Sequence, residues 1–250
     1  MIYISRTRIC IDPGHGSYDP GAVGQNGTLE KNINLQVSLK LANKFINNNF
    51  EVKLTRNSDI TLWNKDQDLW MRCDISNNFN ADIFISIHCN SSNNLNSHGT
   101  ETYWSGQSQA SGDIAKLVQN ELILVNGLID RGVKIANFYV LKKTSANAVL
   151  VELAFINNPT EEQLLNDGVF QNKCADAIFK GVCKYLGMRE VINLFNDFNN
   201  VSDWAKDSVS KLENLKLING DQNNNFNPKA AITREEFAVV INRLLGLFGK

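Results

Sequence analysis

Three strand-sized apolar runs, separated by stretches of helical periodicity, predict an α/β fold: a mostly parallel twisted sheet with helices on both faces. The runs are Arg8-Ile9-Cys10-Ile11, Asp82-Ile83-Phe84-Ile85-Ser86-Ile87-His88 and Ala148-Val149-Leu150-Val151-Glu152-Leu153. Such nearly unbroken apolar runs belong to strands covered on both faces. After Gly187 the composition turns polar and Asn-rich. This shift predicts a boundary between residues 1–188 and a small α-helical C-terminal domain over 189–250.

The elements follow in order. Asp12-Pro13-Gly14-His15-Gly16 breaks the first strand with a Pro/Gly turn, a common place for functional loops on open α/β sheets. A helix follows, with Thr28 as its expected N-cap, Leu35, Leu39, Leu41, Ala42 and Phe45 on its apolar face, and Asn47-Asn48-Asn49 closing it. Glu51–Arg56 alternates as a strand, and a polar helix spans Asp66–Asn78. Gly99–Trp104 is expected as a strand and Ala110–Leu124 as a helix. Gly132–Ile135 and Tyr139–Lys142 are expected as two short strands, and Thr160–Leu186 as one long helix. In the tail a helix is expected near Asp203–Leu215 and a turn at Asn219-Gly220-Asp221. A second helix opens at Thr233 with Glu236 three residues on, a capping box. Two helices of that size are marginal alone, so the tail is expected to dock or self-associate.

Composition excludes several function classes. Net charge is −1, from 25 basic and 26 acidic residues mixed along the chain, so no basic block exists to neutralise phosphates and nucleic-acid binding is not expected. The apolar runs fall far short of a bilayer span. Met1–Arg8 carries positive charge without an apolar stretch behind it, so no secretory signal is expected. Five cysteines without a CxxC pair are read as free thiols. Cys89 follows His88 directly, and side-chain alternation turns it away from whatever His88 faces.

Only three histidines occur, and two sit at strand ends: His15 and His88. With Glu30 they can supply two imidazoles and a carboxylate, the ligand pattern of a hydrolytic zinc ion with an open coordination position. Glu152, at the end of a third strand, is the expected group for proton transfer. Strand parity puts Phe84, Ser86 and His88 on one face and Leu150 with Glu152 on one face. Each group alone has a plainer role: His15 as a polar loop residue, Glu30 as an acid at a helix N-terminus, Glu152 paired with a buried arginine. Asp12 is expected to orient a ligand, His98 to sit solvated in a loop, and Trp63, Trp70, Trp104 and Trp204 to lie in the core or at domain contacts.

The chain resembles the zinc-dependent N-acetylmuramoyl-L-alanine amidases of the amidase-3 type. The matching segments run in order: Asp12–Gly16, Gly21-Ala22, Gly27, Glu30-Lys31, Leu54–Arg56, Ile85–Asn90, Gly99–Glu101, Asp130–Val133 and Val149–Glu152. The resemblance implies one Zn²⁺ held by His15, Glu30 and His88, with Glu152 as catalytic acid/base. Asn90 and Arg131 match motif positions near the site, with a structural or substrate-contacting role. It implies peptidoglycan as substrate, cut between N-acetylmuramic acid and L-alanine. Some relatives carry an inserted helix that plugs the site. The stretch between His88 and Glu152 is filled by ordinary elements, so an open site is expected.

The tail resembles one S-layer homology motif through Phe195, Asp197, Trp204-Ala205, Leu212, Gly220, Phe226, Pro228 and Ile232–Ala238. That resemblance implies binding to a cell-wall polymer, with a homo-oligomer through the tail as an expectation because such motifs usually act in threes. Together these features lead to the expectation of a phage or prophage endolysin, made in the cytoplasm and acting on the wall after release. The alternatives are a host autolysin, a zinc peptidase or deacetylase on the same fold, and a non-catalytic wall-binding protein.

Overall fold

The structure is a computed structural model that describes residues 7–61, 63–188 and 195–248. The expected absence of a leader in Met1–Arg8 and the composition shift at Arg189-Glu190 thus fall largely outside the described residues. Six strands form one sheet: β1 (Arg8–Pro13), β2 (Glu51–Leu54), β3 (Ile83–Asn90), β4 (Thr100–Trp104), β5 (Asp130–Ile135) and β6 (Asn147–Phe155), in the order β2-β1-β3-β6-β4-β5. β2, β1, β3 and β6 pair in parallel, whereas β4 runs antiparallel to β6 and parallel to β5. The sheet is mixed and mostly parallel, as expected.

Among the described residues this part of the chain has six α-helices: α1 (Glu30–Asn47), α2 (Asp68–Asn78), α3 (Gln109–Asn126), α4 (Tyr139–Lys143), α5 (Pro159–Asn166) and α6 (Gly168–Tyr185). The alternation of strand side chains decides which cover which face. Ile9, Ile11, Ile83, Ile85, Ile87, Val149 and Val151 point to one face, in a core shared with α1, α3 and α6. Cys10, Phe84, Ala148 and Leu150 point to the other, against Cys73 of α2 and Val140 and Leu141 of α4. Fully burying an aliphatic side chain contributes about 1.5–3 kcal/mol, so the larger face dominates the stability of the sheet.

Four expectations need correction. Tyr139–Lys143 is a turn of helix, not a strand: the Leu141 and Lys142 N–H groups both reach back to the Phe138 carbonyl oxygen, closing a helical turn instead of a strand ladder. Thr160–Leu186 is two helices. Asp167, extended at φ −81° and ψ 120°, ends α5 and caps α6, its side chain accepting from the Val169 N–H. Thr28 does not cap α1; Leu29 holds that position without a side-chain cap, and Thr28 instead gives its N–H to Glu162. Trp70 and Trp204 are 52% and 87% exposed, so neither is a core residue. Trp104 does pack on the sheet core, and Trp63 donates its indole N–H to Asp68.

By its internal contacts the chain divides into Met1–Gly187 and Met188–Lys250. The second unit holds α7 (Asp203–Asn214) and α8 (Arg234–Phe248). Its small core gathers Phe195, Val201 and Val209, with Phe226 stacked on Phe195 at 5.3 Å between ring centroids. The capping box is present: the Glu236 N–H donates to Thr233 Oγ1 at 3.1 Å and the Thr233 N–H donates to Glu236 Oε2 at 2.7 Å. Among the described residues no helix is long and apolar enough to cross a membrane.

Candidate metal centre

The loop after β1 is held in a conformation it would not adopt freely. His15 has φ +62°, in the left-handed region that costs a non-glycine residue on the order of 1 kcal/mol. Two arginines hold it there. Arg72 donates to the carbonyl oxygens of Pro13 (2.8 Å) and His15 (2.8 Å), and Arg56 donates to those of Pro13 (2.9 Å) and Gly14 (2.9 Å). Arg72 is itself buried against Asp12 Oδ1 at 2.7 Å, and Asp12 also accepts from Thr55 and Ser86. Burial alone would raise the Asp12 carboxyl, but the Arg72 charge and these hydrogen bonds hold it below the usual carboxylate range. Asp12 therefore orients the loop backbone through Arg72, not a ligand as expected.

Glu30 opens α1 and lies buried between the two imidazoles. Its Oε2 is 3.1 Å from His15 Nε2 and accepts from the Ala22 N–H; its Oε1 is 2.9 Å from His88 Nδ1 and accepts from the Cys89 N–H. Asn34, one turn along α1, adds a 3.3 Å contact to Oε1. Two glycines permit this closeness. A Cβ at Gly14 would stand 2.2 Å from the His88 ring, and one at Gly21 would stand 2.6 Å from Glu30 Oε2. The three potential ligand atoms lie within 4.8 Å of one another, and this is the metal-competent cluster among the described residues. The His15 and His88 side chains keep about a quarter and a fifth of their surface exposed, so the centre opens to solvent.

The electrostatics fit a cation. Burial opposes charging His15, yet the hydrogen bonds and charges of Glu30 and Asp19 lift it from 6.5 to about 9. Burial likewise pushes Glu30 up, and the two histidines overcome it, leaving the carboxyl far below its ordinary range. Two imidazole nitrogens and one carboxylate, open on one side, are the donor chemistry of a hydrolytic zinc ion. Sequence reasoning missed Asp19, whose Oδ2 lies 2.6 Å from His15 Nδ1 and fixes that ring. Its signal was available in the loop, four residues after His15. Cys89 directs its thiol into the core, while its N–H, which sequence patterns do not report, serves Glu30.

Glu152 does not join the three. It sits beside His88 in register across β3 and β6, on the same face. Its Oε2 is shielded from solvent and has no hydrogen-bond partner among the described residues. Burial chiefly, opposed by His88 and reinforced by Glu30 and Glu101, raises its carboxyl from 4.5 to about 7. No arginine among the described residues pairs with it, so the plainer role finds no support there. His98 is exposed in its loop, as expected, with Nδ1 2.6 Å from the Asn96 carbonyl oxygen.

Two strand ends and the start of α1 thus bring two imidazoles and a carboxylate into a cluster that could hold a metal ion, beside Glu152 on an α/β sheet. Residues 9–184 match the N-acetylmuramoyl-L-alanine amidase family, and residues 194–238 match the S-layer homology domain. The chain belongs to the N-acetylmuramoyl-L-alanine amidase family. It is 38% identical over 179 residues to the N-acetylmuramoyl-L-alanine amidase LytC of Bacillus subtilis, which covers 71% of this chain and 35% of LytC. The chain thus spans about a third of that relative's length. Among solved structures, the catalytic domain of CwlV, an N-acetylmuramoyl-L-alanine amidase from Bacillus (Paenibacillus) polymyxa, superposes with TM-score 0.68 at 38% identity, covering 73% of this chain and 99% of that one. The CwlD amidase of Clostridioides difficile, solved with the GerS lipoprotein, gives TM-score 0.70 at 34% identity, covering 74% of this chain and all of that one.

Proposed function

We propose that this chain is a zinc-dependent amidase that cuts the bond between the lactyl group of N-acetylmuramic acid and L-alanine of the peptidoglycan stem. The observation that carries it is the pairing of the His15–Glu30–His88 cluster with an unpartnered Glu152 oxygen one strand away. When bound, a zinc ion there supplies Lewis acidity and brings the pKa of water down to about 7. The chain's own groups do the rest. Glu152 Oε2 takes the proton of the attacking water and returns it to the departing alanine amine. Burial favours the protonated form of its carboxyl in the metal-free chain, the direction that suits a group that must hold and pass on a proton. Asp19 keeps the His15 ring in one orientation, and the arginine-held loop keeps His15 in place.

The second unit is proposed to hold a cell-wall polymer and to associate with further copies of itself. Its α8 leaves Ile232 beside it, and Phe237, Val239 and Leu245 on it, 48–64% exposed. For the biological setting we infer lysis by a phage or prophage enzyme; a holin gene beside the coding sequence is expected, and an autolysin operon overturns that part.

Digestion of purified peptidoglycan followed by mass spectrometry tests the chemistry. Stem peptides with a free L-alanine amine are expected, lost on chelation and restored by Zn²⁺. Cleavage inside the peptide, or of the sugar acetyl group, would overturn it.

A further inference from the structure

The row of side chains on this sheet face continues past Glu152. Glu101 of β4 pairs in register with Glu152, and β5 beyond it brings Arg131 and Lys134 onto the same carboxylate. Glu101 is 2% exposed. Its Oε1 accepts from Asn90 Nδ2 (2.5 Å) and the Tyr103 hydroxyl (2.7 Å); its Oε2 accepts from Arg131 Nε (2.9 Å) and is ion-paired with Lys134 Nζ. Burial raises its carboxyl, and the bonds from Lys134, Tyr103 and Arg131 more than reverse that. Glu101 is therefore a fully occupied anion, and not a second proton carrier.

One cation would neutralise it, yet two are present. Their side chains are 35% and 39% exposed, so both cations reach solvent at the rim of the site, with Glu161 also within electrostatic range of Arg131. Arg131 is also held firmly. Nη1 reaches the His98 carbonyl oxygen at 3.3 Å and the guanidinium lies 4.7 Å over the Phe155 ring, while Nη2 has no partner among the described residues. A fixed guanidinium with a free donor edge is preorganised for a carboxylate.

We infer that Arg131, assisted by Lys134, is a carboxylate-recognition subsite for the acidic stem peptide and determines which stems are cut. This rests on the amidase reading above. Neighbouring strands are about 4.8 Å apart and an extended residue spans about 3.5 Å. A carboxylate one residue beyond the alanine therefore reaches the guanidinium while the scissile amide lies by Glu152. The residue in that place is D-glutamate, whose α-carboxylate is free in some walls and amidated in others.

The test compares kcat/KM on disaccharide tripeptides that differ only in D-glutamate or D-isoglutamine. The free carboxylate is expected to be preferred about tenfold or more, the size of a charge-assisted hydrogen bond. Arg131→Gln is expected to collapse that ratio mainly through KM, with zinc content retained, and Arg131→Lys to restore part of it. Should Arg131→Gln fail to fold, Lys134→Gln must still reduce the preference. Equal cleavage of both substrates by the unaltered protein, or an undiminished ratio in the folded Gln variants, overturns the subsite and leaves the amidase reading standing. Failure to release free alanine amines from either substrate overturns both.

Discussion

Glu30, buried at the start of α1, and Glu152, half-buried on β6, have surroundings that could hardly differ more. Around Glu30 the fold provides a donor for every lone pair: two imidazoles, two backbone N–H groups and an amide. Around Glu152 it withholds them, leaving Oε2 without a partner. The first carboxyl is held charged and the second is pushed toward neutrality. Two residues of one type thus acquire opposite protonation behaviour from the donors they face, which is the basis for proposing one as ligand and the other as proton carrier.

Substitutions sharpen this contrast, and the largest effect separates the two roles. Glu30→Ala should abolish both zinc content and amidase activity. Glu152→Gln should keep zinc, read by atomic emission, while kcat falls on the order of 10²–10⁴-fold. Loss of zinc from Glu152→Gln would break the distinction. An intermediate effect belongs to Asp19→Asn, which leaves the His15 ring less firmly oriented; zinc affinity by chelator competition should fall roughly 10–100-fold.

The smallest effect runs the other way. A carboxyl raised from 4.5 to about 7 in the folded chain stabilises fully below pH 4.5, and loses that contribution as pH climbs through 7. Glu152→Gln mimics the neutral form. In chelator-treated protein it should equal the unaltered chain at pH 4 and exceed it by up to about 3 kcal/mol at pH 8, by urea unfolding. Equal stability at both pH values would show that burial of Glu152 carries no cost.

The sequence made the sheet legible because its strands are continuous apolar runs, as at Ile83–His88, and the first is closed by a Gly/Pro turn at Asp12–Gly16. The clustering of His15 and His88 was legible for a related reason, since both stand at the ends of apolar runs, whereas Glu30 opens a helix and carries no such signal. Short elements were not. Tyr139–Lys143 spans too few residues to display either periodicity, and Asp167 breaks a helix with a cap that the apolar spacing on either side does not announce. The partners were hidden because they come from afar. Arg72 acts on the loop at His15 across 57 residues, and Asp12 reads as a histidine partner until the arginine between them is seen.

The reversal of β4 and β5 against the rest of the sheet decides which loops can tune the enzyme. Because these two strands begin, and do not end, beside Glu152, the segments leading into them at 91–99 and 127–129 approach the rim holding Glu101 and Arg131. The loops carrying His15 and Glu30 lie on the far side of β3. On the proposed reading, lengthening or trimming the 91–99 segment reshapes the Arg131 rim without altering the loop of His15 or the start of α1, so binding preference can drift separately from that cluster.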